Sequence, residues 1–171
     1  MNNLNINYRK LNNYIQLKTD YWVNIESTNC YAFALGLDIP EFVIMKNAYN
    51  VGVIGFTKEH RSLSSLRTFS YEDRFIKDLK ALNLMFEEAS IYDSVKDGNK
   101  YSYFLVSMFD NGRDFHFFRK SKKDGTWWHK RGWYCAPTNL DDDLEVITDL
   151  KEPKVGSYKH IKTYKIGFKR R

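Results

Sequence analysis

Two segments of the chain repeat apolar residues at the spacing of a helix. Residues 28–37 form a short apolar run, with Thr28 or Asn29 as the N-cap and Gly36 as the terminator. Residues 70–84 begin with a serine that an aspartate follows three positions later, which is typical of a capping box. The pattern predicts two helices, the second of which buries one face in a core. That face carries Phe75, Ile76, Leu79 and Leu82.

In the second half of the chain, apolar and polar positions alternate as they do in β-strands. Residues 101–109, 114–120 and 126–130 are three such segments, and the turns between them each contain an Asp and a Gly. This spacing predicts an antiparallel meander. Residues 158–168 alternate again and predict a further strand, whereas the acidic stretch 139–149 suits a surface connection.

Length and composition favour one folded α+β domain over residues 1–171. Hydrophobic residues make up 43% of the chain and aromatic residues 16%, well above the content of a disordered chain. Abundant Tyr and Phe favour sheet over an all-helical bundle. Residues 1–25 suit edge strands or a wrapping arm, and residues 41–56 suit a strand or a loop. No repeat or linker divides the chain.

The sequence carries no sign of export or membrane insertion. Its first residues are polar, and no apolar stretch approaches the roughly 18 residues that a membrane span needs. Two cysteines, Cys30 and Cys135, match neither a zinc spacing nor a disulfide-rich framework. We expect a cytoplasmic protein. Abundant Asn, Lys, Ile and Tyr indicate an AT-rich genome, such as that of a low-GC bacterium or its phage.

The basic character of the chain favours an anionic partner. Net charge is +6, and much of the excess lies in residues 119–123 and 159–171. One alternative is therefore a nucleic-acid-binding protein, in which Trp127 or Trp128 stacks on bases while basic side chains contact phosphates. Those basic side chains are Arg119, Lys120, Lys122, Lys123, Lys130 and Arg131.

Cys30 and two histidines suggest nucleophilic chemistry. Cys30 opens the first helix, where unpaired N–H groups favour a thiolate. His116 and His129 lie 13 residues apart on adjacent antiparallel strands, a spacing that can place both imidazoles on one face of the sheet. Cys30 would attack as the nucleophile, His116 would act as the base and His129 would orient it. The backbone N–H of Cys30 and a side-chain amide, from Asn24 or Asn29, would hold the oxyanion, unless Asn29 is only the helix cap.

Other conspicuous residues have less specific roles. Tyr31, Trp127 and Trp128 are candidates for a substrate groove, although aromatic residues at this density also form plain core. Cys135 is expected to be a buried structural thiol, and His60 and His160 are expected to be solvated. No HExxH or CxxC motif is present, so a metal-dependent hydrolase built on Asp114, His116 and His129 is the weakest alternative.

Three short segments resemble the papain-like fold peptidases and amidases of the NlpC and CHAP types. They are the Asn29–Ala34 segment with its Cys30, the strand that carries His116, and the strand that carries His129. The resemblance implies a papain-like arrangement, with the Cys30 helix packed on an antiparallel sheet. It implies Cys30 as nucleophile, His116 as base and His129 as third member, with no metal or cofactor.

The implied activity is cleavage of an amide bond in a peptide, protein or peptidoglycan-like substrate, or a related acyl transfer. The chain departs from the NlpC type at the helix start, where Asn29-Cys30-Tyr31 replaces the usual Asp-Cys-Ser. The interval between Cys30 and His116 is also longer than in compact members. A catalytically inactive descendant that serves as a binding or inhibitor protein is a further alternative.

Overall fold

The computed structural model describes residues 16–17, 28–38, 54, 69–132 and 135–169. Two helices lie in these ranges, α1 (Cys30–Leu35) and α2 (Tyr71–Ala81). The strands in chain order are β1 (Gln16–Leu17), β2 (Leu37–Asp38), β3 (Met85–Ala89), β4 (Tyr101–Asp110), β5 (Phe115–Lys120), β6 (Trp127–His129) and β7 (Lys159–Lys169). Neither described helix is long enough to cross a membrane.

A five-stranded antiparallel sheet forms the centre of the fold. Its strand order is β3-β7-β4-β5-β6, and β1 pairs with β2 in a separate two-stranded sheet. The strands β4, β5 and β6 form the expected meander. Strand β7 lies between β3 and β4, with a register irregularity opposite Met108 and Phe109. The α+β class is therefore confirmed, and the papain-like arrangement stays a proposal.

The larger hydrophobic core lies between the sheet and the two helices, on the side that we call the helix face. Tyr31 of α1 and Phe75 of α2 both contact the ring of Phe117 on β5, with centroid separations of 5.1 and 5.2 Å. The expected stripe of α2 lies in this core, which confirms the amphipathic helix. The strands contribute Phe104, Val106, Met108, Phe117, Tyr164 and Ile166.

A second core lies on the opposite side of the sheet, which we call the histidine face. Successive side chains of a strand point to opposite sides, so Phe118 points away from Phe117 and its helices. Phe118 packs with Leu105, Phe109 and Trp127 of the sheet. Ile147, Leu150 and Val155 cover them from the connection between β6 and β7. The acidic stretch 139–149 is therefore partly a surface connection and partly a cover for this core.

Local sequence signals explain where the helices begin and end. The side chain of Asn29 accepts a hydrogen bond from the N–H of Ala32 at 2.9 Å, and Gly36 ends α1 with a left-handed φ of 66°. The hydroxyl of Ser70 caps α2 by accepting from the N–H of Asp73, which confirms the capping pattern. Strand β3 was not expected as a separate element.

Candidate functional site

His116 and His129 form a directly hydrogen-bonded pair on the histidine face. Strand pairing sets Phe118 opposite His129, so His116 lies on the diagonal from His129 across β5 and β6. The Nε2 atom of His116 and the Nδ1 atom of His129 are 2.8 Å apart. The expectation that a 13-residue spacing brings both imidazoles to one face is therefore confirmed.

The partners of each ring nitrogen fix the tautomers of the pair. The Nε2 atom of His129 lies 3.0 Å from the carbonyl oxygen of Leu140, which can only accept. A neutral His129 therefore carries its proton on Nε2 and accepts from His116 through Nδ1. His116 then carries its proton on Nε2, and among the described residues no donor engages the lone pair of its Nδ1. The network thus leaves one basic nitrogen, Nδ1 of His116.

Burial keeps both imidazoles neutral. It lowers the pKa of His116 to about 3, and the neighbouring His129 lowers it further. Burial also lowers the pKa of His129, although the hydrogen bond to Leu140 acts in the opposite direction. A neutral imidazole can accept a proton, but a pKa of about 3 makes His116 a weak base in this conformation.

Tyr158 and Asp114 hold the ring of His116 in place, and sequence reasoning gave Tyr158 no role. The ring of Tyr158 stacks on His116, with centroids 5.2 Å apart and an interplanar angle of 26°. Its hydroxyl donates to a carboxylate oxygen of Asp114 at 3.1 Å. Burial and this hydrogen bond raise the pKa of Tyr158 to about 12. Phe118 meets the His116 ring edge-on at a centroid distance of 5.0 Å.

Cys30 occupies the first position of α1, and its sulfur lies against the backbone of β5. The backbone N–H groups of Phe117, Tyr31 and Cys30 itself act to lower the pKa of the thiol. Burial is the stronger influence, because the residue is only 6% exposed, and it raises that pKa to about 12. In this conformation the thiol is therefore protonated at neutral pH.

The cysteine and the imidazoles approach β5 from different sides. Cys30 belongs to the core on the helix face, together with Phe117, whereas His116 contacts Phe118 and Tyr158 on the histidine face. Among the hydrogen bonds of the described residues, none joins the Cys30 sulfur to either imidazole. The expected thiol–imidazole pair is therefore not assembled in this conformation. Cys30 nevertheless lies in the same core as Phe117, the residue that follows His116 on β5.

The two asparagines proposed for the oxyanion have different outcomes. The side-chain oxygen of Asn29 is engaged with the N–H of Ala32, and the residue is 7% exposed. Asn29 is therefore a helix cap in this structure. Asn24 lies outside the described residues.

Two of the three residues expected in a substrate groove are core residues. Tyr31 is fully buried and donates to a carboxylate oxygen of Asp78 at 2.6 Å, and Trp127 is fully buried on the histidine face. These two expectations were wrong, because aromatic density here serves packing. Trp128 is half-buried, and its indole N–H donates to the hydroxyl of Thr126.

The remaining cysteine and histidines also differ in outcome. Cys135 is exposed, so the expected buried thiol was wrong, and both cysteines are free. His160 is exposed as expected, with Nε2 3.0 Å from the hydroxyl of Thr163. His60 lies outside the described residues. Within the described ranges, no group of three or more His, Cys, Asp or Glu residues could hold a metal ion.

Most of the basic side chains expected to contact phosphates are engaged within the fold. Arg119 is buried with its guanidinium over the ring of Phe104, and Lys120 donates to two backbone carbonyls. Lys122 pairs with Asp97, and Arg131 pairs with Asp142. The buried indole of Trp127 also has no free face for a base. The nucleic-acid-binding interpretation stays an alternative, with Lys123 exposed and Trp128 half-buried.

Comparison with known proteins gives no relative from which a function could be transferred. No protein-family model matches the chain, and no match is found among curated proteins or solved structures. The candidate site therefore depends on its own geometry.

Proposed function

We propose that the chain is a cysteine-dependent hydrolase, or a related acyl transferase, that acts on an amide bond in a peptide, protein or peptidoglycan-like substrate. The observation that carries this proposal is the chain of contacts from Leu140 through His129 to His116. It fixes a neutral imidazole with one free lone pair, on the strand against which the Cys30 sulfur lies. An oriented base and a cysteine at a helix start are the parts that thiol hydrolysis needs.

In the proposed reaction, Nδ1 of His116 takes the proton of the Cys30 thiol. The thiolate then bonds to the carbonyl carbon of the substrate, and the leaving amine receives the proton from His116. Water or an amine, activated by the same imidazole, resolves the thioester. This sequence requires the sulfur and Nδ1 of His116, which lie on opposite sides of β5 in this conformation, to reach the same side of the strand within hydrogen-bonding distance.

A second candidate function is a papain-like domain that binds a partner without catalysis. Two observations favour it, the burial of Cys30 and its position on the face opposite His116. In that case the three N–H groups around the sulfur would serve only to satisfy a buried thiol.

Alkylation of Cys30 by iodoacetamide distinguishes the two candidates. Cys135→Ser should be the parent protein, because Cys135 is exposed and would react as well. For the hydrolase, Cys30 at pH 7 should react faster than in the urea-denatured chain. His116→Gln should slow it about tenfold or more, because Gln cannot accept the thiol proton.

His160→Gln is the matched control, since His160 is an exposed histidine on another strand, and it should leave the rate unchanged. Reaction no faster than in the denatured chain, together with indifference to His116→Gln, would exclude the hydrolase and favour the binding domain. A panel of peptide and peptidoglycan fragments, incubated with the parent and with Cys30→Ala, then tests amide cleavage itself.

A further inference from the structure

The two edges of the central sheet differ in how the rest of the chain covers them. At the β6 edge, the N–H of Trp127 donates to the carbonyl oxygen of Ile147, and His129 exchanges two backbone hydrogen bonds with Thr138. At the β3 edge, residues 85–89 form no backbone hydrogen bond in the described part of the chain except with β7. The sheet therefore has one covered edge and one open edge.

The open edge is regular enough to accept a further strand. All five residues of β3 pair with β7 in continuous register, and the strand contains no proline. Antiparallel pairing with β7 uses the N–H and C=O groups of alternate residues, so the remaining groups of β3 point away from the sheet. Met85, at the start of the strand, is 41% exposed. An extended segment of another chain can bond to such an edge.

Two consecutive glutamates determine the charge of this edge. Glu87 and Glu88 point to opposite faces of the sheet, and their side chains are 65% and 69% exposed. Glu87 lies 2.7 Å from Nζ of Lys165. Lys162 lies 3.0 Å from Glu72 of α2 and 3.6 Å from Glu88. Three carboxylates thus share two ammonium groups, which leaves this edge acidic in a chain whose net charge is +6.

The glutamates favour a basic segment over a second copy of this chain. Full overlap of two antiparallel β3 strands would place Glu87 opposite the Glu87 of the other copy, and like charges directly opposite each other are destabilising. A strand with two consecutive basic residues would instead pair one cation with each carboxylate, on opposite faces. Apolar residues that follow the basic pair would lie beside Phe86 and Met85.

We propose that β3 is a docking edge for an extended, basic segment of another protein, which adds to the sheet as an antiparallel strand. The segment carries two consecutive lysines or arginines followed by two apolar residues. Backbone hydrogen bonds to β3 supply the affinity, and Glu87 and Glu88 select the charge. Strands β7 and β4 lie between this edge and β5, so the docking edge is independent of the proposed hydrolase site.

Binding of a labelled peptide to the full chain tests this edge. The probe is fluorescein-labelled Thr-Val-Thr-Lys-Lys-Val-Val-Thr, and fluorescence anisotropy at low salt should show saturable binding. The double variant Glu87→Gln, Glu88→Gln should weaken binding about fivefold or more, because two exposed ion pairs with the peptide are lost. Glu152→Gln removes an exposed carboxylate from the connection between β6 and β7, and this matched control should leave the affinity unchanged.

A peptide with Glu-Glu in place of Lys-Lys is the matched control on the side of the ligand, and it should not bind. Absence of saturable binding of the Lys-Lys peptide would overturn the proposal. So would equal binding of the two peptides, or an unchanged affinity in the double variant.

Backbone methylation distinguishes strand addition from charge attraction alone. Two versions of the Lys-Lys peptide carry N-methyl groups on alternate residues, one at the odd and one at the even positions. An added strand directs only every second N–H towards β3, so one version should lose binding while the other retains it. Equal effects of the two methylation patterns would overturn the proposal.

Sedimentation velocity tests whether a second copy of the chain occupies the edge. The Lys-Lys peptide should bind without changing the oligomeric state. A dimer that the peptide dissociates would show that β3 pairs with another β3, and this result would overturn the assignment to a basic partner.

Discussion

The two faces of the central sheet differ in where their buried polar side chains lie. On the helix face, Phe117 lies in a core of aliphatic and aromatic side chains that includes both helices, and the buried hydrogen bond there joins Tyr31 of α1 to Asp78 of α2 rather than two strands. On the histidine face, apolar residues are interrupted by paired polar groups, namely the His116–His129 pair and the hydroxyls of Ser107 and Thr163, 2.8 Å apart. Every one of these polar groups is buried and has its partner within the sheet.

The two faces therefore differ in the kind of contact that holds them together. Apart from the Tyr31–Asp78 hydrogen bond, the contacts on the helix face are mostly apolar and non-directional, so they stabilise the fold without fixing any single orientation. The hydrogen bonds of the histidine face are directional, and they hold two rings in defined tautomers. Cys30 belongs to the first face and its proposed base to the second, so catalysis would need a connection across the β5 backbone near Phe117.

The largest expected effect comes from truncating the core of the helix face. Phe117→Ala should lower the free energy of unfolding by about 3–5 kcal/mol, because a fully buried ring contacts both helices. Urea unfolding at pH 7 measures the loss. Phe115→Ala, at a half-buried position of the same strand and face, should cost less than half as much. Equal losses would show that the core does not centre on Phe117.

The histidine face should make stability depend on pH. The pKa of His116 is lowered from 6.5 to about 3 in the folded state, so the unfolded chain alone binds a proton between these values. Stability should therefore fall as the pH decreases below 6.5, and the contribution of His116 should level off near pH 3. At pH 5, His116 alone should cost about 2 kcal/mol relative to neutral pH.

His116→Gln provides the control, since its side-chain amide can still donate to Nδ1 of His129 but does not titrate. Its unfolding free energy should decline less steeply between pH 6.5 and 5 than that of the parent. Carboxylates with lowered pKa values, such as those of Glu72 and Asp142, act below this window because their unfolded pKa lies near 4. Parallel curves for parent and variant would mean that His116 is not buried in its neutral form.

The smallest effect concerns the cap at the start of α1. Asn29→Ala should destabilise the protein by about 1 kcal/mol, because the N–H of Ala32 loses its acceptor. Asn29→Asp should retain most of the stability. If Asn29 is only a cap, Asn29→Ala should leave the ratio of the Cys30 alkylation rates by iodoacetate and by iodoacetamide as it is in the parent. A change in this rate ratio caused by Asn29→Ala would indicate that Asn29 contributes to the oxyanion site.

The sequence predicted those features that depend on near neighbours. Helix α2, with its serine cap and apolar stripe, and the meander that pairs His116 with His129 are encoded within short stretches. The diagonal placement of the two imidazoles follows from strand alternation and turn length alone.

Features that depend on distant parts of the chain were not predictable. The side of the sheet on which α1 packs decides whether Cys30 faces the imidazoles, and no local pattern specifies that side. Trp127 and Tyr31 were expected in a groove because composition does not distinguish a binding surface from a core. Lys130 was expected to contact phosphates from the surface but is fully buried, because the sequence does not reveal that a lysine after a short strand, ordinarily solvated, is covered by the fold.

The position of β7 between β3 and β4 has a consequence for the order of folding. Strand β3 pairs only with β7 in the described sheet, and its contact partners, such as Glu87 and Lys165, are 78 positions apart. The hairpins of β4, β5 and β6 close over short loops and can form early. Strand β3 can pair only after β7, which lies much later in the chain, is available. During synthesis on the ribosome, residues 85–89 therefore remain an unpaired segment until β7 has emerged.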